Sequence, residues 1–567
     1  MNSNLAYHEG NNSEVVDTEI GLSDSLHNAS IESRQTTIEE PRAVTFEPNI
    51  FNSGRVVSRA YPQEVSLSSP ASTSFRSTSS SEDLAKTEIA TALVNQQIGA
   101  CNHERSDATL DAPPLSSWRF SQPPVEEPSL PLKRQRMIWR KLRHRFLDVY
   151  QRLFAIVFVG NMIALIIMVV TNRKIHPFGP SLESLATATS TNVMGAILIR
   201  QEIVINALYT VFASTPLWMP LRMRRMVAKL YHLGGIHSGC AVSATTWFIL
   251  YTAIMTKQYV DGDFYGTPVI AITYILLALL FSICVLAIPK FRSSSHNTFE
   301  AVHRFGGWLA IALFWVETLL VCSGQSKAPG ADSLGIIVIK TPTFWLLLII
   351  TFFIILPWIR LQKVRAWPEV LSDHVVRIHF NHREVGAVLG VRITHSPLTE
   401  WHTFAAIPEG NGSSFSVIVS DAGDWTKKQI AEPSNAYWIR GIPVAGLLRM
   451  APVFKRVIIV ATGSGIGPCL SLLISHPMSC RILWSTPNPL QTYGEGIMQA
   501  VMHADPEAMV INTKASGRPD MVALTYHLFF KSKAEAVFII SNPFLTKKVV
   551  YGMQSRGIPA YGPIWDS

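Results

Sequence analysis

A buried run, Val457-Ile-Ile-Val-Ala461, is followed at once by Thr462-Gly463-Ser464-Gly465-Ile466-Gly467-Pro468 and then by the apolar stretch LSLLIS. Glycines at this spacing let the backbone approach a diphosphate. A helix opening directly after the turn adds unpaired N–H groups and the positive end of its dipole. These residue types read as a nucleotide cradle; without a ligand, the same residues make a tight strand-to-helix turn. Two histidines, His237 and His303, stand at the starts of separate apolar stretches. Neutral imidazoles facing each other from two helices are what a low-spin haem iron needs. The other reading of the pair is an interfacial position or a hydrogen bond between helices.

The elements that must carry these residues follow from composition. The chain has 567 residues and a net charge of +9, unevenly spread. Residues 1–130 hold 18 Asp and Glu against 8 Lys and Arg, whereas the rest holds 41 basic and 22 acidic residues. An acidic tail on a basic, apolar body argues against a nucleic-acid binder. Six cysteines with no CxxC pair exclude a disulfide scaffold and a thiolate metal knuckle. The first thirty residues have no apolar core of a secretory signal. Residues 1–130, rich in Ser, Thr and Pro, read as a disordered cytosolic tail, either a phosphorylation platform or a solvated leader.

Residues 131–145 are a polybasic juxtamembrane segment, with seven Lys and Arg in KRQRMIWRKLRHR. Within 146–362, six apolar stretches near 149–171, 193–214, 233–256, 267–288, 303–322 and 342–361 are each long enough to cross a bilayer as a helix. Most basic loops alternate to one side, which predicts both termini in the cytosol and membrane lipid as a partner; Arg173 and Lys174 dissent. Residues 363–450 alternate apolar and polar in short segments between turn residues, a β pattern. Residues 451–567 alternate buried strands with helices, the rhythm of an α/β parallel sheet. The expected fold is a multi-domain membrane protein: a six-helix transmembrane bundle, then a β-barrel, then an α/β domain.

Four short motifs sharpen this reading. EWHTFAAI (400–407) and GDWTKKQI (423–430) resemble the flavin motifs of ferric reductases and NADPH oxidases. TGSGIGPCLS (462–471) and SGRPDM (516–521) resemble their nicotinamide segments. Their order is similar to that of the ferredoxin–NADP reductase superfamily, a flavin β-barrel followed by a nucleotide domain. With HRFGGW, KASGRPDM and six spans ahead, the chain resembles fungal TmpA-type membrane flavoproteins within the ferric reductase and NADPH oxidase-like superfamily.

The resemblance implies FAD against Trp401, His402, Thr403 and Phe404, with Trp425 and Thr426 on its phosphate side. It implies NADPH or NADH held by Thr462, Gly463, Ser464, Gly465, Gly467 and Pro468, with Arg518 and Lys514 near a 2′-phosphate. The catalytic positions implied are His402, Asn542 and Trp565, the last covering the flavin ring. Ala405 departs from the hydroxyl residue usual there, and Ser541-Asn542-Pro543 stands where Cys-Gly-Pro is usual, so a thiol beside the nicotinamide is missing.

The resembling reductases stack two haems, with inner and outer histidines about fourteen positions apart, or ~21 Å along a helix. Fourteen positions beyond His237 and His303 stand Tyr251 and Glu317, so the outer site is absent and at most one inner haem remains. Ionisable groups in hydrocarbon usually pair, which predicts an Arg200–Glu317 contact; snorkelling of Arg200 and Glu202 is the alternative. The function implied is hydride transfer from NAD(P)H to FAD on the cytosolic side of the plasma membrane, then electron transfer to an unidentified acceptor without the two-haem relay. The alternatives are a single-haem transmembrane metalloreductase or superoxide-forming oxidase, and a non-catalytic membrane scaffold.

Overall fold

The computed structural model describes residues 120, 129–172, 180–262, 266–410, 412–475 and 478–564. The expected acidic tail falls almost wholly outside the described residues, as does Trp565.

In chain order, α1 is Val149–Asn172, α2 Leu182–Leu198, α3 Glu202–Ala213, α4 Leu221–Val227, α5 Gly234–Val260, α6 Thr267–Leu286, α7 His296–Gln325 and α8 Pro342–Ile359. Five of these, α1, α5, α6, α7 and α8, are long and apolar enough to cross a membrane. A sixth crossing exists only if α2 and α3, bent by 65°, count as one. Large apolar side chains such as Ile156, Ile166, Phe281 and Phe352 lie on the outside of the bundle.

The expected second span near 193–214 falls on this bent pair rather than on one continuous helix. The Ser181 hydroxyl accepts from the Ser184 N–H and starts α2 earlier than its apolar residues suggest. The chain then turns at 199–201, and α3 lies against the sheets that follow. Its polar residues explain the turn. Glu202, only 6% exposed, pairs with Arg392 and accepts from the Ile442 N–H at 2.6 Å. The Asn206 side chain donates to the Pro443 carbonyl and accepts from the Ala445 N–H, each at 2.8 Å. A buried carboxylate is tolerated where it is paired and hydrogen-bonded, and here its partners lie in the sheets rather than in the bundle.

Nine strands follow: β1 (Gln362–Arg365), β2 (Trp367–Ser372), β3 (Val375–Asn381), β4 (Leu389–Thr394), β5 (His402–Ala405), β6 (Ile407–Pro408), β7 (Ser414–Ser420), β8 (Ala436–Ile439) and β9 (Val444–Ala445). They form two antiparallel sheets, β1-β8-β4-β5 with β9 on β4, and β2-β3-β7-β6. The expected closed barrel is not formed, because no ladder joins the two sheets among the described residues. The chain instead changes sheet at two corners, Ala366 and Ala406, both buried. A small residue lets the strand bend without opening the shared core of Val364, Ile378, Phe415 and Tyr437.

The last five strands, β10 (Val457–Thr462), β11 (Cys480–Thr486), β12 (Met509–Asn512), β13 (Ala536–Ile540) and β14 (Ala560–Tyr561), are all parallel in the order β12-β11-β10-β13-β14. The strand order reverses direction beside β10, and a doubly wound sheet opens its ligand crevice at such a switch point. The connecting helices relevant here are α9 (Asp424–Ala431), in the antiparallel part, and α10 (Ile466–Ser475), α11 (Pro489–Ala504), α12 (Met521–Lys531) and α13 (Pro543–Gln554).

A second buried charge ties α4 to this sheet. Arg224, 3% exposed, donates to the Val453 carbonyl at 2.9 Å and to Glu535 at 2.7 Å. The Arg224 guanidinium holds the Glu535 carboxyl below its ordinary value. A depressed carboxyl stabilises the fold above its unfolded pKa and loses that contribution as pH falls through the folded value. Glu535→Gln is therefore expected to melt below the wild type at pH 7. The difference between the two melting temperatures should shrink as pH falls below ~4, and a difference independent of pH would contradict the pairing.

Candidate functional site

The glycine turn sits at the carboxyl end of β10, at the switch point. Gly463–Gly465 form a single 3-10 turn, and α10 begins at Ile466. Gly463 has φ +50°, a left-handed conformation that favours glycine. A Cβ on Gly465 would lie 2.1 Å from the Ile540 carbonyl oxygen, so only glycine lets the turn pass β13. A Cβ on Gly467 would meet the Ile418 Cβ at 3.3 Å, where α10 packs on β7. Neighbouring strands hold the turn. The Trp484 indole donates to the Gly463 carbonyl at 3.0 Å, and the Thr462 and Ser541 hydroxyls hydrogen-bond each other. Ser464 and Pro468 are half-buried beside it.

Two of the expected glycines thus answer to packing against neighbouring chain, and Gly463 answers to backbone conformation. What remains for a ligand is the start of α10, whose first N–H groups have no partner within the helix. Asn542 follows Ser541 at the end of β13, and its side-chain oxygen accepts from the Leu545 N–H at 2.9 Å, capping α13. Lys514 and Arg518 are exposed in the segment after β12. Asp520 caps α12 by accepting from the Val522 N–H at 2.8 Å.

The β5 residues divide by strand alternation. His402 stacks on Trp425 with ring centroids 4.2 Å apart, and Phe404 lies 5.9 Å from the same indole. Thr403 points to the other face and is exposed. The structure therefore brings together His402, Phe404 and Trp425, and separates Thr403 from them. The Thr426 hydroxyl accepts from the Ala422 and Gly423 N–H groups and caps α9. Trp401 donates to the Pro397 carbonyl at 2.7 Å, and its ring lies 4.4 Å from the Arg440 guanidinium, which also covers Trp358 at the end of α8. Burial, with Arg392 and Arg304 nearby, pushes Arg440 down to about 9.

The residues present fit a flavin in one respect. The Trp425 indole nitrogen and the His395 Nε2 are buried without a hydrogen-bond partner; the His395 ring lies 5.9 Å from the indole that stacks on His402. Orphaned buried donors are rare unless a ligand or water completes them.

His237 and His303 face each other with ring centroids 6.1 Å apart, and His237 Nδ1 is 2.8 Å from the Ala196 carbonyl oxygen. The expected Arg200–Glu317 contact is replaced by two separate environments. Arg200 lies at the sheet end near His303 and Arg392, because α2 bends there. Glu317 is held by Thr273 and Tyr251 within the bundle.

Several residues that position the site had no signal in the sequence. Val388 has φ +61°, strained for a β-branched residue, and its N–H donates to the Ser471 hydroxyl of α10 at 2.8 Å. Gln429 links His395 to the Tyr437 hydroxyl beneath Trp425. Arg392 and Arg440 bridge bundle and sheets. The only trace of these links in the sequence was a glutamate, Glu202, in an apolar run.

Residues 447–567 match the family described as Adenylate-forming reductase 03009, C-terminal domain. Two curated relatives from Coprinopsis cinerea are similar over most of this chain. Adenylate-forming reductase 03009 is 42% identical over 83% of the chain and 45% of its own length. Adenylate-forming reductase 06235 is 43% identical over 78% of the chain and 42% of its own length. The chain thus spans less than half the length of these relatives. Among solved structures, a Neisseria gonorrhoeae ferredoxin NADP+ reductase with bound FAD and NADP is 13% identical at TM-score 0.30, covering 36% of this chain and 99% of its own. A Plasmodium falciparum ferredoxin-NADP+ reductase with 2'P-AMP is 13% identical at TM-score 0.27, covering 36% and 95%. Both of these curated relatives are named adenylate-forming reductases.

The packing account of the turn has a direct check. Gly465→Ala should destabilise by several kcal/mol, since its methyl meets backbone. Gly496→Ala, in α11 with open space around it, should change stability by less than about 1 kcal/mol. Equal melting temperatures for the two variants would contradict the close approach to β13.

Proposed function

We propose that this chain is a membrane-embedded NAD(P)H-dependent flavin oxidoreductase, taking hydride on the sheet side and passing electrons to an acceptor not yet identified. The observation that carries the reading is the glycine turn at the switch point of a parallel sheet, with α10 packed on both the turn and the antiparallel sheets. The reductase names of the Coprinopsis relatives support the same direction. Five long apolar helices with outward-facing apolar side chains support insertion in a bilayer, with the sheets in the cytosol.

Bound flavin and nicotinamide would supply the hydride chemistry, and the protein's part is positioning and electrostatics. The α10 N–H groups bind a diphosphate. Ser464 lies at its edge, and Arg518 and Lys514 offer cationic partners for a 2′-phosphate. His402, Phe404 and Trp425 make an aromatic wall for a flavin, and the unpartnered Trp425 N–H is available to one of its acceptor atoms. Asn542 and Ser541 stand at the end of β13 beside the turn, on the route a nicotinamide would take toward β5.

Within this reading, His237 and His303 are the pair that would hold one haem. An Nδ1–H donated to a backbone carbonyl, as His237 is placed to donate to Ala196, is the usual way to orient such a ligand.

Ser464→Asp sets a carboxylate against the incoming diphosphate. It should raise KM for NADPH at least ~10-fold in a ferricyanide-linked assay, with FAD content and melting temperature unchanged. Arg518→Ala should raise KM for NADPH more than for NADH. Unchanged nucleotide kinetics in Ser464→Asp would place the site elsewhere.

A further inference from the structure

The end of the bundle remote from the sheets contains a cavity that plays no part in the proposed chemistry. It is partly open to the outside and is lined by α2, α5, α7 and the start of α8. The positions that the sequence placed one haem-spacing beyond His237 and His303, Tyr251 and Glu317, meet here across α5 and α7.

The lining has a consistent chemistry. Glu317 is 3% exposed, with hydroxyls from Thr273 and Tyr251 on its carboxyl. Glu183 stands at the start of α2, and no Lys or Arg lines the cavity among the described residues. Phe248 and Phe314 form an aromatic wall, their ring centroids 5.4 Å apart at an edge-to-face angle. Thr343 is 3% exposed and lines the same space, yet its hydroxyl has no hydrogen-bond partner. An orphaned hydroxyl in a native core is unfavourable unless something completes it.

A buried carboxyl without a cation, an aromatic wall and an unsatisfied hydroxyl together describe one kind of occupant. We propose that this cavity binds a small primary amine with an apolar body. Its ammonium is held by Glu317 and Thr343, and its apolar part packs on Phe248 and Phe314. A primary ammonium has three N–H donors, enough for the carboxylate and the Thr343 oxygen together. A neutral ligand of the same shape would leave the carboxylate without a counter-charge. This site is independent of the nucleotide turn, so its test does not depend on any redox activity.

The test uses the purified full chain in lipid nanodiscs and radiolabelled 2-phenylethylamine as the probe. Saturable binding is expected, with 2-phenylethanol and sodium ion failing to compete at matched concentration. Glu317→Gln should weaken binding at least about ten-fold. Thr343→Val separates ligand binding from folding. It should leave the melting temperature of the ligand-free protein unchanged or higher, because an unsatisfied hydroxyl is removed, while weakening the amine several-fold. No saturable binding to the wild type, competition by the alcohol or sodium ion equal to that of the amine, or Thr343→Val with unaltered affinity would each overturn the proposal.

Discussion

Residue 465 has no room for a side chain, because the Ile540 carbonyl oxygen occupies the place where a Cβ would be. Much of the α/β half follows from that contact. It sets β10 and β13 side by side at the point where the strand order reverses, and it aims α10 away from the sheet. It also leaves the first N–H groups of α10 at the mouth of the crevice, where a helix attracts anions. The same helix then meets Ile418 of β7 through Gly467 and the strained Val388 through Ser471. The turn is thus fixed on both sides, by backbone on one and by the antiparallel sheets on the other.

The helical and sheet parts are joined by charges rather than by apolar surface alone. Glu202 with Arg392, and Arg224 with Glu535, are ion pairs in which at least one partner is almost fully buried. Such pairs contribute little net stability relative to apolar residues, but removing one partner leaves a charge without water. Their effect is to set register. The bend between α2 and α3 places Glu202 against the β4 arginine and the Ile442 N–H. Arg440, between Trp358 and Trp401, fixes the end of α8 against the start of β5 by the same logic. The His237–His303 pair therefore stands near the sheet end of the bundle, and Glu317 stands at the other.

The sequence shows some of this plainly and some not at all. Helices such as Thr267–Leu286 and Pro342–Ile359 were readable because a run of apolar residues of that length has few alternatives. The strand-turn-helix at 457–475 was readable because glycine spacing and a buried strand report local geometry. The second span was misread because Arg200 and Glu202 read as charged residues at a membrane surface, while the arginine that pairs with Glu202 lies 190 positions away. The barrel was overdrawn for a related reason. Alternation reports which face of a strand is buried, and two packed sheets bury the same faces as a closed one. At the candidate site, His402 and Phe404 could be placed together by alternation. The cap made by Thr426 and the role of Gly465 depend on neighbours that only the folded chain supplies.

The central claim is that a pyridine nucleotide at the start of α10 can reach a flavin beside β5. Anaerobic mixing of the full-length, FAD-loaded protein with NADPH, followed by the flavin absorbance, tests it most directly. The account predicts loss of the oxidised flavin band within a single turnover, at one nucleotide per flavin. Protein that holds FAD but shows no absorbance change with either NADPH or NADH would contradict it.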